Sequence, residues 1–118
     1  MPKRVLIVGA DLIFKSKLRG VVAAAGGVVV REGEASDLAV VAAEAPGAVD
    51  RIRGLVASGL PVLAFASHVL AQLLREAREA GAVAVPNSEI EGRLAAFLTS
   101  APPAPGSGAG GPARPSAG

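Results

Sequence analysis

The side chains able to do chemistry in this 118-residue chain are few and widely spaced. Asp11 follows a short β-branched run, and Glu44 lies two residues past Ala42 at the end of another apolar run. Phosphoryl transfer to a protein needs a carboxylate nucleophile and a metal ion that neutralises the phosphate charge. Mg²⁺ is held by several oxygen ligands in a near-octahedral arrangement, and Asp11 has no second acid beside it in the sequence. We therefore expect no metal site. Glu44 is the single further acid that could restore one.

Other forms of catalysis have equally little support. Ser67 and His68 are adjacent, but no acid is spaced to complete a serine–histidine–acid set, so we expect His68 only to begin a helix. The Gly9–Asp11 turn lacks the glycine spacing of a dinucleotide-binding loop, and no P-loop follows it. Because the chain contains no cysteine, disulfides, zinc–thiolate sites and thiol nucleophiles are excluded. We expect a protein without catalytic residues or a cofactor, which is not an enzyme.

Charge and hydropathy exclude two further classes of partner. Twelve basic and ten acidic residues give a net charge of +2, which is not the charge pattern of a nucleic-acid-binding protein. Lys15, Lys17 and Arg19 form a small basic cluster without an accompanying set of aromatic stacking residues, which is typical of a solvated helix face. Every apolar run is far shorter than the ~20 residues of a membrane-spanning helix. We expect a cytoplasmic protein that binds neither nucleic acid nor a membrane.

Strand and helix patterns alternate over the first 99 residues. Continuous apolar runs, typical of strands buried on both faces, alternate with apolar stripes at helical spacing. The pattern predicts strands over 5–8, 28–30, 38–41, 61–65 and 82–85. It predicts helices that begin after Asp11, at Pro46 or Gly47, at about His68, and at a Ser88–Glu91 capping box. This alternation indicates an α/β protein with a flavodoxin-like, three-layer sandwich and a parallel sheet in the order 2-1-3-4-5.

The connection between the second and third strands is unusually short. Only Arg31 to Asp37 joins them, which is too few residues for a regular crossover helix. We expect this helix to be shortened or missing, with an extended segment in its place.

Composition changes sharply near residue 99. Ten of the eighteen residues from Ala101 to Gly118 are glycine or proline, and Arg114 is the only charged residue among them. Such a segment buries too little apolar surface to offset its ordering entropy. The sequence therefore predicts one domain over residues 1–99 and a flexible Pro/Gly-rich tail over residues 100–118.

Several stretches resemble the receiver domain of bacterial two-component response regulators. Lys3–Val8 resembles the first strand of that family, Ser36–Val41 the third and Pro61–His68 the fourth. Arg75–Ala82 is similar to the end of the fourth helix. The resemblance covers about residues 3–99, and it implies a role in signalling.

The positions that carry receiver chemistry are altered. Receivers hold Mg²⁺ with two acidic residues after the first strand, where Asp11 is the only match. The aspartate that accepts the phosphoryl group corresponds to Ala42, and the switch hydroxyl corresponds to Ala66, with Ser67 one place late. The lysine after the fifth strand corresponds to Asn87. The resemblance therefore implies a degenerate receiver site, that is, a pseudo-receiver.

Two functions remain open at this point. The first is a phosphorylation-independent interaction module that binds a protein partner or forms a homodimer. The family implies a surface on the last two helices and the fifth strand, which here carries Gln72, Arg75, Glu79 and Arg93. Mixed charge is compatible with a symmetric interface or with a solvated surface. The alternative is a small-ligand or ion sensor that uses the pocket at the carboxyl ends of the strands.

Overall fold

A five-stranded parallel sheet forms the centre of the computed structural model, which describes residues 2–99. The strands are β1 (Arg4–Val8), β2 (Val28–Val30), β3 (Leu38–Ala42), β4 (Val62–Ala66) and β5 (Val83–Pro86). Their order is β2-β1-β3-β4-β5 and every pairing is parallel, as predicted. Strands β3 and β4 are buried along their whole length, because helices cover both faces of the sheet. The tail predicted over residues 100–118 lies outside the described residues.

Four helices cover the sheet and divide its core into two halves. They are α1 (Leu12–Ala24), α2 (Ala48–Ala57), α3 (Ala71–Glu79) and α4 (Ile90–Thr99), and a 3₁₀ turn over Asn87–Glu89 precedes the last. Ile52 of α2 and Leu74 of α3 are buried in one half, and Leu18 of α1 and Leu94 of α4 in the other. This arrangement confirms the flavodoxin-like sandwich. No helix within residues 2–99 is long and apolar enough to cross a membrane.

The connection between β2 and β3 contains no helix, as predicted. Residues 31–37 form turns and extended chain that are tied to the rest of the fold at two points. Glu32 pairs with Arg51 on α2, and the Asp37 carboxylate accepts a hydrogen bond from the Arg4 N–H at 2.8 Å. One layer of the sandwich therefore has a short tethered segment where a crossover helix would lie.

Two predicted helix starts are wrong. Helix α3 begins at Ala71 instead of His68, because residues 67–70 form a turn in which the Leu70 N–H donates to the Ser67 carbonyl at 2.9 Å. The predicted capping box at Ser88 does not form either, since Ser88 lies inside the 3₁₀ turn that precedes α4. A capping residue needs an extended backbone, and Ser88 has a helical one.

Candidate functional site

The carboxyl ends of β1, β3 and β4 border a pocket of about 300 Å³. Ligand sites of open α/β sheets lie at this end of the strands. Three of the predicted site residues line the pocket: Asp11, Ala42 and Asn87. Ala66 and Ser67 do not. The remaining lining residues are Gly9, Ala10, Phe14, Glu44, Ala45 and Phe65.

Asp11 has a structural role that needs no metal. Its backbone is extended, with φ −69° and ψ 172°, and one carboxylate oxygen accepts a hydrogen bond from the Phe14 N–H at 2.8 Å. This is the geometry of a helix N-cap, which satisfies one of the free N–H groups in the first turn of α1. The need for a cap therefore accounts for an acidic residue at this position.

The backbone at Gly9 excludes a side chain at this one position of the turn. Gly9 has φ +77°, and a Cβ built on it would lie 2.7 Å from the Ala45 Cβ. Any other residue would therefore be strained by the left-handed backbone and would also collide with the β3–α2 loop. Ala10, the residue next to Asp11, brings only a methyl group to the pocket.

The two alanines at the strand ends face opposite sides of the sheet. Ala42 is 9% exposed and lines the pocket, so a methyl group stands where β3 ends. Ala66 is fully buried in the half of the core under α2 and α3, while its neighbour Phe65 faces the pocket. This alternation follows from the strand geometry of β4. Neither alanine supplies a nucleophile or a hydroxyl.

Glu44 brings a second acid to the pocket. One oxygen of its carboxylate accepts a hydrogen bond from the Ser67 N–H at 2.8 Å, which joins the β3–α2 loop to the β4–α3 loop. The expectation of a lone Asp11 is therefore corrected, since both carboxylates line one pocket. Each already accepts a backbone N–H. Among residues 2–99 no group of three or more acidic, histidine or cysteine side chains is placed to hold a metal ion.

Two phenylalanines, Phe14 and Phe65, also line the pocket. The ring centroids of Phe14 and Phe65 are 5.1 Å apart, with an angle of 40° between the ring planes. Phe14 lies in the first turn of α1 and Phe65 is next to last in β4, so both stand close to the carboxyl ends of the strands. Their position near an element end was the signal available in the sequence. Asn87 begins the 3₁₀ turn across the pocket from them.

The predicted interaction residues flank the edge strand β5. Gln72, Arg75 and Glu79 lie on α3, and Arg93 lies on α4 on the other side of the sheet; all four are exposed. The Arg75 guanidinium donates to the Gln72 side chain at 2.6 Å, which holds both along α3. The surface is therefore split between two helices with a strand edge between them.

Solved receiver domains share this fold. The chain is similar to the BeF3-activated DrrB receiver domain, with 17% identity and a TM-score of 0.71 over 83% of this chain and 95% of that one. It is similar to a response regulator receiver protein from Pseudoalteromonas atlantica, with 16% identity and a TM-score of 0.65 over 78% and 90%. It also matches full-length FixJ from B. japonicum, with 18% identity and a TM-score of 0.68 over 82% of this chain and 56% of that one.

Sequence comparisons with protein families and with curated proteins give no match. No protein-family model matches the sequence, and no curated protein matches it. Identities of 16–18% establish a common architecture alone. The fold is that of response regulator receiver domains.

Proposed function

We propose that the domain is a phosphorylation-independent receiver-like module, of the bacterial two-component type, that acts in the cytoplasm by binding another protein. The proposal assigns it no catalytic role. One observation carries it: the end of β3 presents the Ala42 methyl group to the pocket, where a phosphorylatable receiver needs a carboxylate. A methyl group offers no nucleophile to a phosphodonor.

The geometry around Ala42 supports this proposal further. Gly9 has no room for a side chain, Ala10 supplies only a methyl group, and Asp11 serves as the cap of α1. Phosphorylation acts by bringing charge to a bistable element. Here the Glu44 carboxylate already accepts a hydrogen bond from the Ser67 N–H, without any added phosphoryl group. In this proposal the β4–α3 loop keeps one arrangement, and a partner reads a preformed surface.

The proposed partner is a signalling or output protein, or a second copy of the chain. The surface proposed for it is the exposed charged set on α3 and α4 around β5. Arg93 lines an apolar groove of about 280 Å³ together with Val83 and Phe97, which are 48% and 36% exposed. An exposed apolar centre with a charged residue at its border is compatible with the anatomy of a protein interface.

A small-ligand or ion sensor is the second candidate. The pocket favours it because Asp11, Glu44 and Asn87 place polar groups around one 300 Å³ space. A ligand that binds the folded state raises the melting temperature. A rise with millimolar Mg²⁺ would therefore support the sensor, and an unchanged melting temperature supports the interaction module.

Phosphodonor chemistry tests the main proposal. After incubation with acetyl phosphate and Mg²⁺, the intact mass of the full chain should show no added phosphoryl group, while an authentic receiver domain gains one in the same reaction. The variant Ala42→Asp should also stay unmodified, because the turn over Gly9–Asp11 still lacks the second of the paired acids. An acid-labile adduct on the unaltered chain, at Glu44 or any other acid, would contradict the proposal.

A further inference from the structure

A continuous groove runs along α1 to the open edge of β2, on the opposite edge of the sheet from β5. It consists of two depressions, of about 230 and 400 Å³, that share Arg19. We call it the α1–β2 groove. Its lining residues are Leu12, Lys15, Ser16, Arg19, Val22, Ala23, Gly27, Val29, Val30 and Arg31.

The charge of the α1–β2 groove is positive throughout. Lys15, Arg19 and Arg31 are its charged lining residues, and none is acidic. No ion pair among the described residues involves these three side chains. The groove therefore concentrates unpaired positive charge on a chain whose net charge is only +2.

The wall of the groove includes main-chain groups of an edge strand. The Val28 N–H donates to the Lys3 carbonyl at 2.9 Å, so Val28 faces β1. In a parallel ladder the N–H and C=O of successive residues point to alternate sides. Those of Val29 therefore point to the open edge. The next outward N–H, of Arg31, is held by the Glu34 carboxylate at 2.6 Å.

The outer edge of β2 has no partner strand among the described residues, because β2 is the last strand of the sheet. The segment over residues 31–37 that follows β2 is short and is tied back to α2, on the face of the sheet opposite α1, and to β1. Leu12, which lines the groove, is 84% exposed, and Val28 of β2 is 44% exposed. Apolar surface beside an unpaired strand edge is a template for another extended chain.

We propose that the α1–β2 groove binds an extended acidic segment of a partner protein, which pairs with the edge of β2 and places carboxylates against Arg19 and Arg31. An open strand edge offers main-chain hydrogen bonds to a peptide, and it offers no such complement to a lipid or a nucleic acid. The groove also has no aromatic residue for base stacking. A second copy would bring the same arginines together, and like charges repel.

Peptide binding tests the proposal on the full chain. The probe is a fluorescent peptide that alternates valine and glutamate, titrated by anisotropy at low salt. Its binding should weaken about tenfold in the double variant Arg19→Glu/Arg31→Glu, because two attractive contacts become repulsive. The control Lys17→Glu/Arg53→Glu changes the net charge equally outside the groove and should leave the affinity nearly unchanged. Amide hydrogen exchange at Val29 should slow when the peptide is bound.

Four results would overturn the proposal. The first is that the valine–glutamate peptide does not bind, and the second is that a valine–glutamine peptide binds equally well. The third is that the control variant loses as much affinity as the arginine variant. The fourth is that oligo-dT or phosphatidylserine vesicles bind more tightly than the peptide. Circular dichroism tests whether each variant is folded. If Arg19→Glu/Arg31→Glu is unfolded, the neutral double variant Arg19→Gln/Arg31→Gln takes its place. The groove shares no lining residue with the pocket at Ala42 and lies at the opposite edge of the sheet from β5, so this result does not depend on the proposed function.

Discussion

Gly9 and Asp11, which follow β1, show how main-chain geometry determines which side chain a position can carry. Asp11 keeps a carboxylate because α1 needs a cap, and Gly9 lacks a side chain because its backbone is left-handed and Ala45 lies against it. The acid that resembles half of a receiver metal site therefore has a structural role in this fold.

Replacement of Gly9 by alanine should destabilise the domain by roughly 2–4 kcal/mol. A left-handed backbone costs a non-glycine residue about 1–2 kcal/mol, and forcing a methyl group against the Ala45 Cβ adds a steric cost of similar size. Urea unfolding measures the loss. Gly26→Ala is the matched control, because Gly26 also has positive φ but has open space around it, so it should lose only the backbone part. Equal losses in the two variants would mean that the Ala45 contact contributes nothing.

Single residues differ in how far the sequence reveals their role. The cap at Asp11 was predictable because its partner, Phe14, is three positions away. The hydrogen bond from Ser67 to Glu44 joins residues 23 positions apart, and no local pattern encodes it. Phe14 and Phe65 fall in a predicted helix and a predicted strand, but their place beside the pocket depends on how these two elements pack.

The predicted helices and strands agree with the structure where the sequence signal is local. They differ where a tertiary contact changes the course of the chain. The sheet order and the missing helix could be predicted from buried runs and connection length. The start of α3 could not, because Glu44 fixes the Ser67 N–H and the chain then turns before Ala71. Ser88 begins a capping motif in the sequence, but in the structure it lies inside the 3₁₀ turn over Asn87–Glu89 and does not cap α4.

The β4–α3 loop should loosen when Glu44 is truncated. Glu44→Ala removes the acceptor of the Ser67 N–H, and the expected loss of stability is about 1 kcal/mol, the usual net worth of one hydrogen bond. Amide hydrogen exchange at Ser67 should become faster. Glu44→Gln keeps a carbonyl acceptor and should retain most of the protection. If Glu44→Ala leaves exchange at Ser67 unchanged, this carboxylate does not hold the loop.

At the scale of the whole molecule, both halves of the core are built from residues within the described chain. In the half under α1 and α4, the last buried residues among 2–99 are Leu94 and Leu98, which are 0% and 8% exposed. In the half under α2 and α3, the last buried residue of the same range is Ala84. The boundary of the folding unit should therefore fall just after α4, where the sequence placed it.

Two truncations test that boundary. Deletion of Ala101–Gly118 removes no large apolar side chain, so stability should change by less than about 0.5 kcal/mol, a shift of only a few degrees in melting temperature. Deletion back to residue 93 also removes Leu94 and Leu98. Each such loss costs about 2–5 kcal/mol, and two together approach the whole stability of a small domain. The shorter chain should show no cooperative thermal transition by circular dichroism, whereas a large drop in melting temperature from the first deletion alone would place part of the core beyond Thr99.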